Sequence, residues 1–564
     1  MLDGFVPWPS ELAAAYRRDR IWEGITVAEM VERTAHALPD KIAVVHGATR
    51  IGYAELIRQA RQLAGALLDC GIGPHDRVVM QLPNTPAFIQ LYLALNTIGA
   101  IPVMALRAHR HAEVRHFIDA SGAVAYAIPD RIGGFDYRTM ADEMRLAFPQ
   151  LRAIIVDGDA GHGQIAFEAL LARGRGEAEL ALRLAAVRPA AGDVSTMLLS
   201  GGTTSMSKLI ARTHDDYVLN ARVCAQAGGF DRGTVLGVIL PLGHNYNLAS
   251  PGMLGTFYAG GTVVLLRSTD SDEIFASVAR ERVSVLAAAV PLIANWLNAG
   301  VAGRHDLGSL RVVQNGGARL PPELRARLRR CFGCTPQEIY GTAEGLINMT
   351  RLGDADDLLL HSSGAPVSEL DEVRVVDDEG HDVADGGAGE LVTRGPYTIR
   401  GYYNAAEINA EAFLPGGWYR MGDIVRKCGR YVYTEGRRKD LINRGGEKIS
   451  CDEIENLIFA HPAVKSVVLV AMPDPVFGEK ACACVILKPG AALVLAELLA
   501  FLRAQRIASF KLPERLEIMD EFPVSPVGKI LKRQLREMIA EKVARETARR
   551  MPPPQPSLAG GQGG

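Results

Sequence analysis

Hydrophobic positions in the first two-thirds of the chain follow two alternating rhythms. Leu56, Ala60, Leu63, Ala64, Leu67 and Leu68 recur at helical spacing, and Gly71 supplies a stop. Residues 77–82 then form a short, mostly apolar run that predicts a buried strand. Strand-like runs return at 235–240, 263–266 and 310–314. Such alternation from about residue 26 to 350 predicts α/β layers around mostly parallel sheets. From 364 to 433 the pattern changes to short β-type runs broken by Gly and Asp turns, which predicts a small antiparallel barrel or sheet. Beyond Gly436 the pattern predicts helices over 452–459 and 493–503 and strands over 464–470, 481–487 and 515–519, a compact α+β domain.

Length and composition narrow the class. A chain of 564 residues is too long for one core and divides into at least two domains. Hydrophobic content of 48% and charged content of 22% describe an ordinary globular protein. The net charge of -2, with no block of like charge before the last helix, points to neither nucleic acid nor a membrane surface. The longest apolar run, 283–297, contains Pro291, is too short to span a bilayer and reads as buried core. The N-terminus has no signal-like apolar core, and the eight cysteines are scattered without zinc-like spacing. Reduced thiols in a cytoplasmic protein are the expectation.

The stretch Ser200-Gly201-Gly202-Thr203-Thr204-Ser205-Met206-Ser207-Lys208 carries the first chemistry. Two glycines, five hydroxyls and one lysine follow the apolar run Met197-Leu198-Leu199. A strand opening into such a loop converges backbone N–H groups, hydroxyls and an ammonium, which suits a polyphosphate. It is not the common phosphate loop, because Ser207 and Leu209 stand where G-x-x-x-x-G-K-[ST] needs glycine and a hydroxyl. A polar surface turn is the plain alternative. Four further clusters could complete a nucleotide site: Tyr340-Gly341-Thr342-Ala343-Glu344, Trp418 to Asp423, Gly436 to Lys448, and Pro526-Val527-Gly528-Lys529-Ile530. Taken singly, Asp423 reads equally as a turn residue, Arg437 and Lys439 as solvated linker charge, and Lys529 as a surface lysine.

In this order the five segments resemble the adenylate-forming superfamily of acyl-CoA synthetases, peptide-synthetase adenylation domains and beetle luciferases. Within it the chain is similar to the stand-alone aryl-acid ligases of siderophore assembly, the 2,3-dihydroxybenzoate– and salicylate–AMP ligases. The stretches that carry this are Ser207 to Tyr217, His244-Asn245-Tyr246, Ala343 to Asn348, Thr393 to Tyr403 and Asn443 to Lys448. The resemblance implies a core over 1–436 with a β-barrel-like part near 364–433, a hinge at 437–441 and a mobile C-terminal domain over 442–545. The tail 546–564, rich in Pro and Gly, is expected to be disordered.

Carried over by motif, the resemblance implies ATP at Ser200, Gly201, Gly202, Thr203, Thr204 and Lys208, with Tyr340 and Gly341 flanking adenine. Thr342 would contact the α-phosphate, Glu344 would serve Mg²⁺, and Asp423 and Arg437 would bind ribose. Lys439 stands at the hinge and Lys529 is the catalytic lysine of adenylation. The acid would lie against His244, Asn245, Tyr246, Ser250, Gly316, Gly317 and Ile347. Asn245 reads an aryl 2-hydroxyl, although a turn asparagine is its plain alternative, as a structural role is for His244. Gly316 and Gly317 leave room for a flat ring. Ser250 can bond a 3-hydroxyl and so favours 2,3-dihydroxybenzoate over salicylate.

Function follows as expectation. The aryl acid becomes an aryl-AMP, then passes to the phosphopantetheine thiol of an aryl carrier protein supplied in trans. An aryl-CoA ligase shares the first step, and a catalytically silent scaffold relative is the alternative of another class. Retention of Lys208, Glu344, Asp423, Arg437 and Lys529 argues against the latter. Departures from the family pattern are Ser205 for glycine, Met421 for threonine and Arg107 for proline. An aryl carboxylate is already ionised at neutral pH, so the barrier is the approach of one anion to another, met by positioning and charge neutralisation. Lys529→Ala is therefore expected to abolish pyrophosphate exchange while sparing thiol transfer from preformed aryl-adenylate. Equal loss of both steps would refute this division of labour.

Overall fold

The computed structural model describes residues 2–200, 207–437, 441–444, 447–505, 507–525 and 530–550, with side chains omitted for 437, 447–448 and 547–550. It separates into a large unit, Met1–Thr434, and a smaller one that begins at Glu435. Two predominantly parallel sheets form most of the large unit. The first runs in the order Leu209–Thr213, Val194–Leu199, Ile101–Met104, Arg77–Met80, Ala125–Pro129, Ala153–Asp157 and Ile165–Ala166. All its neighbours are parallel except the first two strands, which form an antiparallel hairpin at the edge.

The second sheet has nine strands. Its parallel centre comprises Thr335–Thr342, Val312–Gly316, Val285–Ala288, Val235–Val238, Thr262–Leu265 and Ile42–His46. Short antiparallel strands close both edges. The central strands are buried almost throughout, as sheets covered by helices on both faces require. The helix predicted from the leucine spacing runs Tyr53–Asp69, and Gly71 beyond it takes φ +72°, a left-handed conformation that glycine adopts without strain. The apolar run 283–297 splits into the strand Val285–Ala288 and the helix Val290–Ala299. Pro291 falls in the first helical turn, where no N–H is needed. No helix among the described residues is long and apolar enough to cross a membrane.

The segment with β-type texture forms a five-stranded antiparallel sheet from Glu372–Val376, Ala388–Arg394, Phe413–Leu414, Trp418–Cys428 and Tyr431–Arg437. Its last strand continues past residue 433 into the expected hinge. In the small unit, strands Val464–Asp474 and Gly478–Leu487 form a long hairpin, with Arg515–Ile518 parallel beside it. Helices Cys451–Phe459, Leu495–Ala504 and Lys532–Arg550 accompany this sheet, giving the α+β character expected of it. The final helix corrects one boundary, because it runs on through 546–550, where a disordered tail was expected. Arg515 holds Glu546 by paired bonds of 2.8 and 2.7 Å, which fastens the helix to the strand Arg515–Ile518.

Candidate active site

The phosphate-type loop springs from the edge hairpin of the first sheet, whose register pairs Leu199 with Leu209. Ser200 and Lys208 close its neck: the Ser200 N–H donates to the Lys208 carbonyl at 3.0 Å, and Ser200 Oγ accepts from the Lys208 N–H at 2.9 Å. Gly201, Gly202, Thr203, Thr204 and Ser205 lie outside the described residues. Below the neck, strand Leu209–Thr213 carries Arg212, whose side chain is 0% exposed. A buried guanidinium needs partners for its N–H groups. Arg212 finds Asp216 Oδ1 at 2.6 Å, the Ala343 carbonyl at 2.8 Å and the Tyr397 carbonyl at 3.2 Å. Asp216 also completes the capping box of helix His214–Ala227 with Thr213.

The Ala343 carbonyl matters because Ala343 and Glu344 are the two linking residues of the hairpin that pairs Thr335–Thr342 with Gly345–Met349. Arg212 thus anchors the turn that presents Thr342 and Glu344. Glu344 is buried, and its Oε1 accepts from the Tyr402 hydroxyl at 2.8 Å. Tyr419 OH lies 3.2 Å from Tyr402 OH, and the Lys208 ammonium stands 5.1 Å from the Tyr402 ring centroid. Burial, reinforced by the Glu344 charge, raises the Tyr402 pKa and keeps it a donor. Thr342 Oγ1 is buried without a hydrogen-bond partner among the described residues. An orphaned hydroxyl beside a carboxylate held by one oxygen fits a phosphate with its cation, since Mg²⁺ takes one or two carboxylates alongside phosphate oxygens. Among the described residues no cluster of three or more His, Cys, Asp or Glu could hold a metal alone.

A bulge brings in the ribose candidate. Between the pairs Glu390–Ile424 and Val392–Arg420, strand Trp418–Cys428 carries two extra residues. Gly422 inside that bulge has φ +73°, which disfavours a side chain. The detour places Asp423, 6% exposed, against Tyr340: the tyrosine hydroxyl donates to Asp423 Oδ2 at 2.8 Å. Met421, which stands for the family's threonine, is buried in the same bulge. Gly341 is required by close approach, because a Cβ there would lie 2.4 Å from the Leu346 carbonyl oxygen and 2.7 Å from Ile347 Cδ1.

Four of the acid-pocket candidates, His244, Asn245, Tyr246 and Ser250, follow strand Val235–Val238. Asn84 and Asn247 bind the Leu240 carbonyl at 2.9 and 2.6 Å, and His244 Nδ1 accepts from the Tyr246 N–H at 3.3 Å. The short helix Asn245–Ala249 then buries Asn245 and leads into Ser250. Asn245 Nδ2 donates to Ser250 Oγ at 3.2 Å, and Asn245 Oδ1 accepts from Tyr217 OH at 2.8 Å. Ile347 is buried, its N–H 3.3 Å from Tyr397 OH. At Gly316 a Cβ would come 3.0 Å from Cε2 and Cζ of Tyr246, so the tyrosine ring packs against the glycine. Gly317 has φ +88°, a backbone reason for glycine.

Of the expected site residues, Ser200, Lys208, Thr342, Glu344, Tyr340, Gly341 and Asp423 belong to the large unit, as do the seven pocket candidates. Arg437 ends strand Tyr431–Arg437, and its side chain is outside the description. Lys439 and Lys529 lie outside the described residues. Arg107 is exposed, its carbonyl accepting from Tyr137 OH at 2.7 Å. Arg212, Tyr217 and Tyr402 had no role assigned from sequence. The usable signal was Arg212 itself, a charge inside the apolar strand Leu209–Thr213 just before a capping box.

Residues 31–403 match the family model for AMP-binding enzyme, and residues 453–529 match that for the AMP-binding enzyme C-terminal domain. The chain is 45% identical over 544 residues to a 2,3-dihydroxybenzoate-AMP ligase of Bacillus subtilis, covering 96% of this chain and 99% of that one. It is 44% identical to a salicylyl-CoA synthase / salicylate adenylyltransferase of a Streptomyces species, with 96% and 98% covered. A salicyl-AMP ligase / salicyl-S-ArCP synthetase of Mycobacterium tuberculosis is 40% identical, with 95% and 94% covered. Among solved structures, apo MbtA of Mycobacterium smegmatis superposes with a TM-score of 0.73 at 37% identity, over 95% of this chain and 98% of that one.

Tyr402→Phe should test the carboxylate's support. With its hydrogen bond gone, Glu344 is less well oriented, and the apparent affinity for Mg²⁺ with ATP is expected to fall about tenfold. The KM for the acid should stay unchanged. Titration of activity against Mg²⁺ at fixed ATP reads the effect.

Proposed function

The chain belongs to the AMP-binding enzyme family and is an adenylate-forming ligase; from that premise we propose that it activates an aryl carboxylic acid, 2,3-dihydroxybenzoate before salicylate, in siderophore-type nonribosomal peptide synthesis. A carboxylate oxygen of the acid attacks the α-phosphorus of ATP, the bond from that phosphorus to the bridging oxygen breaks, and pyrophosphate leaves. The thiol of phosphopantetheine on an aryl carrier protein, as the thiolate, then attacks the acyl carbon and AMP departs.

The observation that carries the acid assignment is the buried pair Asn245 and Ser250, joined at 3.2 Å. Two adjacent buried polar side chains suit a ligand with adjacent oxygens. A ligand that leaves buried donors unpaired forfeits about 1–3 kcal/mol for each. The relative named for 2,3-dihydroxybenzoate supports the first choice. The relatives named for salicylate support the second.

On the nucleotide side, Ser200, Lys208 and the loop between them hold the departing pyrophosphate, and Thr342 meets the α-phosphate. Tyr340 lies along adenine, while Asp423 accepts from the ribose hydroxyls. Glu344 would hold Mg²⁺, which when bound would supply charge neutralisation for the phosphates. Lys529, the last residue of the segment that matches the C-terminal domain model, stabilises the same charge during adenylation and can leave when that step ends.

Coenzyme A as acceptor is the second reading, favoured by the salicylyl-CoA synthase name of one relative. The carrier protein is favoured by the relative named as a salicyl-S-ArCP synthetase. Acid-dependent ATP–pyrophosphate exchange with 2,3-dihydroxybenzoate, salicylate, benzoate and anthranilate decides the acid. The expected order places 2,3-dihydroxybenzoate first and benzoate well below both hydroxylated acids. Exchange with none of the four would contradict the aryl-acid reading, and salicylate ahead of 2,3-dihydroxybenzoate would contradict the role of Ser250.

A further inference from the structure

Helix His214–Ala227 grips the acid-pocket turn at two points. Near its start, Tyr217 OH donates to Asn245 Oδ1 at 2.8 Å; one turn on, Asn220 Nδ2 donates to the Ala249 carbonyl at 2.7 Å. These contacts bracket the short helix Asn245–Ala249, with Ser250 immediately after it. All three side chains, Tyr217, Asn220 and Asn245, are buried. The helix is therefore a fixed ruler for the two groups assigned to the acid.

The Tyr217 contact does more than hold position, because it sets which way the Asn245 carboxamide faces. A carboxamide has one accepting and one donating end of nearly equal shape. A buried tyrosine hydroxyl must place its proton on an acceptor, and the partner of Tyr217 OH among the described residues is Asn245. Burial raises the Tyr217 pKa, so the proton stays on the hydroxyl throughout the working pH range. With Oδ1 committed to Tyr217, the amide N–H groups face the other way. One reaches Ser250 Oγ at 3.2 Å and the second is left for a ligand. With Ser250 Oγ accepting from Asn245, its own proton remains available to donate to a ligand. The pocket thus offers two adjacent donors, a polarity that suits the oxygens of an ortho-hydroxylated acid. A flipped amide would offer an acceptor instead.

Tyr217 is held in turn from the nucleotide side. The Arg212 guanidinium lies 4.8 Å from its ring centroid while bonding the Ala343 and Tyr397 carbonyls. This contact leaves the ring few alternative placements in a packed interior.

We propose that Tyr217 is the positioning residue for acid selection: its hydroxyl fixes the Asn245 carboxamide so that its N–H groups face Ser250 and the ortho oxygen of the aryl acid. This rests on the aryl-acid reading of the pocket. Tyr217→Phe keeps the ring and removes the hydroxyl alone. In exchange assays it is expected to lower kcat/KM for salicylate and 2,3-dihydroxybenzoate about tenfold, the factor for one well-placed hydrogen bond. Values for benzoate and the KM for ATP should stay at the wild-type level, so the preference for hydroxylated acids collapses. Asn245→Asp, which keeps an acceptor for Tyr217 and removes both donors, should lose the same preference and serves if Tyr217→Phe melts below the assay temperature. Asn245→Ala separates the two levels of the claim. If it abolishes the preference while Tyr217→Phe lowers all acids equally or none, the role of Tyr217 is overturned and the pocket stands. A preference that survives in Asn245→Ala overturns the pocket reading itself, and one that survives in Asn245→Asp overturns the donor polarity.

Discussion

One buried ion pair organises the large unit's candidate site. Arg212 and Asp216 are both 0% exposed, 2.6 Å apart and four residues apart in sequence. Two charges removed from water are stable only if their remaining donors and acceptors are also met, and removing one partner of such a pair typically costs about 3–5 kcal/mol. Asp216 meets its share through the Thr213 N–H and hydroxyl. Arg212 meets its share through the Ala343 and Tyr397 carbonyls and the Tyr217 ring. Those obligations draw four segments together: the hairpin under the phosphate-type loop, helix His214–Ala227, the turn bearing Thr342 and Glu344, and the segment leading to Tyr402. The need to satisfy one guanidinium thereby aligns groups assigned to phosphate, metal and acid.

The chemistry proposed for this arrangement asks for little beyond such alignment. The nucleophile arrives ionised and the leaving group is already activated by charge, so no general base has to be built. What the fold supplies is a set of polar groups held still: a hydrogen-bonded loop neck, a carboxylate steadied by Tyr402, and an amide steadied by Tyr217. Rigid donors at the point where charge develops need no reorganisation during the reaction.

Much of this was legible in the sequence, for identifiable reasons. The buried strands announced themselves because a sheet covered on both faces tolerates little but apolar residues, as at Val235–Val238 and Val285–Ala288. Glu344 and Asp423 stood out because each sits in a motif whose glycines and aromatics are locally constrained. Tyr217 and Tyr402 stayed silent, since an aromatic inside a mixed run looks the same whether its hydroxyl bonds a distant carboxamide or nothing. Their partners lie 28 and 58 residues away in sequence, and local pattern carries no record of that. The Tyr246 contact of Gly316 was invisible for the same reason, since the tyrosine lies seventy residues earlier in the chain. The last helix runs through 546–550 with Glu546 bonded to Arg515, another pairing invisible to composition.

Through the Ala343 and Tyr397 carbonyls and the Tyr217 ring, Arg212 couples the proposed nucleotide and acid halves of one site. The most direct test of this coupling is Arg212→Lys, which keeps the charge beside Asp216 but cannot reach both carbonyls in the same plane. The variant's melting temperature, its KM for ATP and its preference for salicylate over benzoate should be measured together by pyrophosphate exchange. In folded Arg212→Lys protein the KM for ATP should rise and the acid preference should fall in concert. A folded variant in which only one of the two moves, or neither, would contradict the coupling.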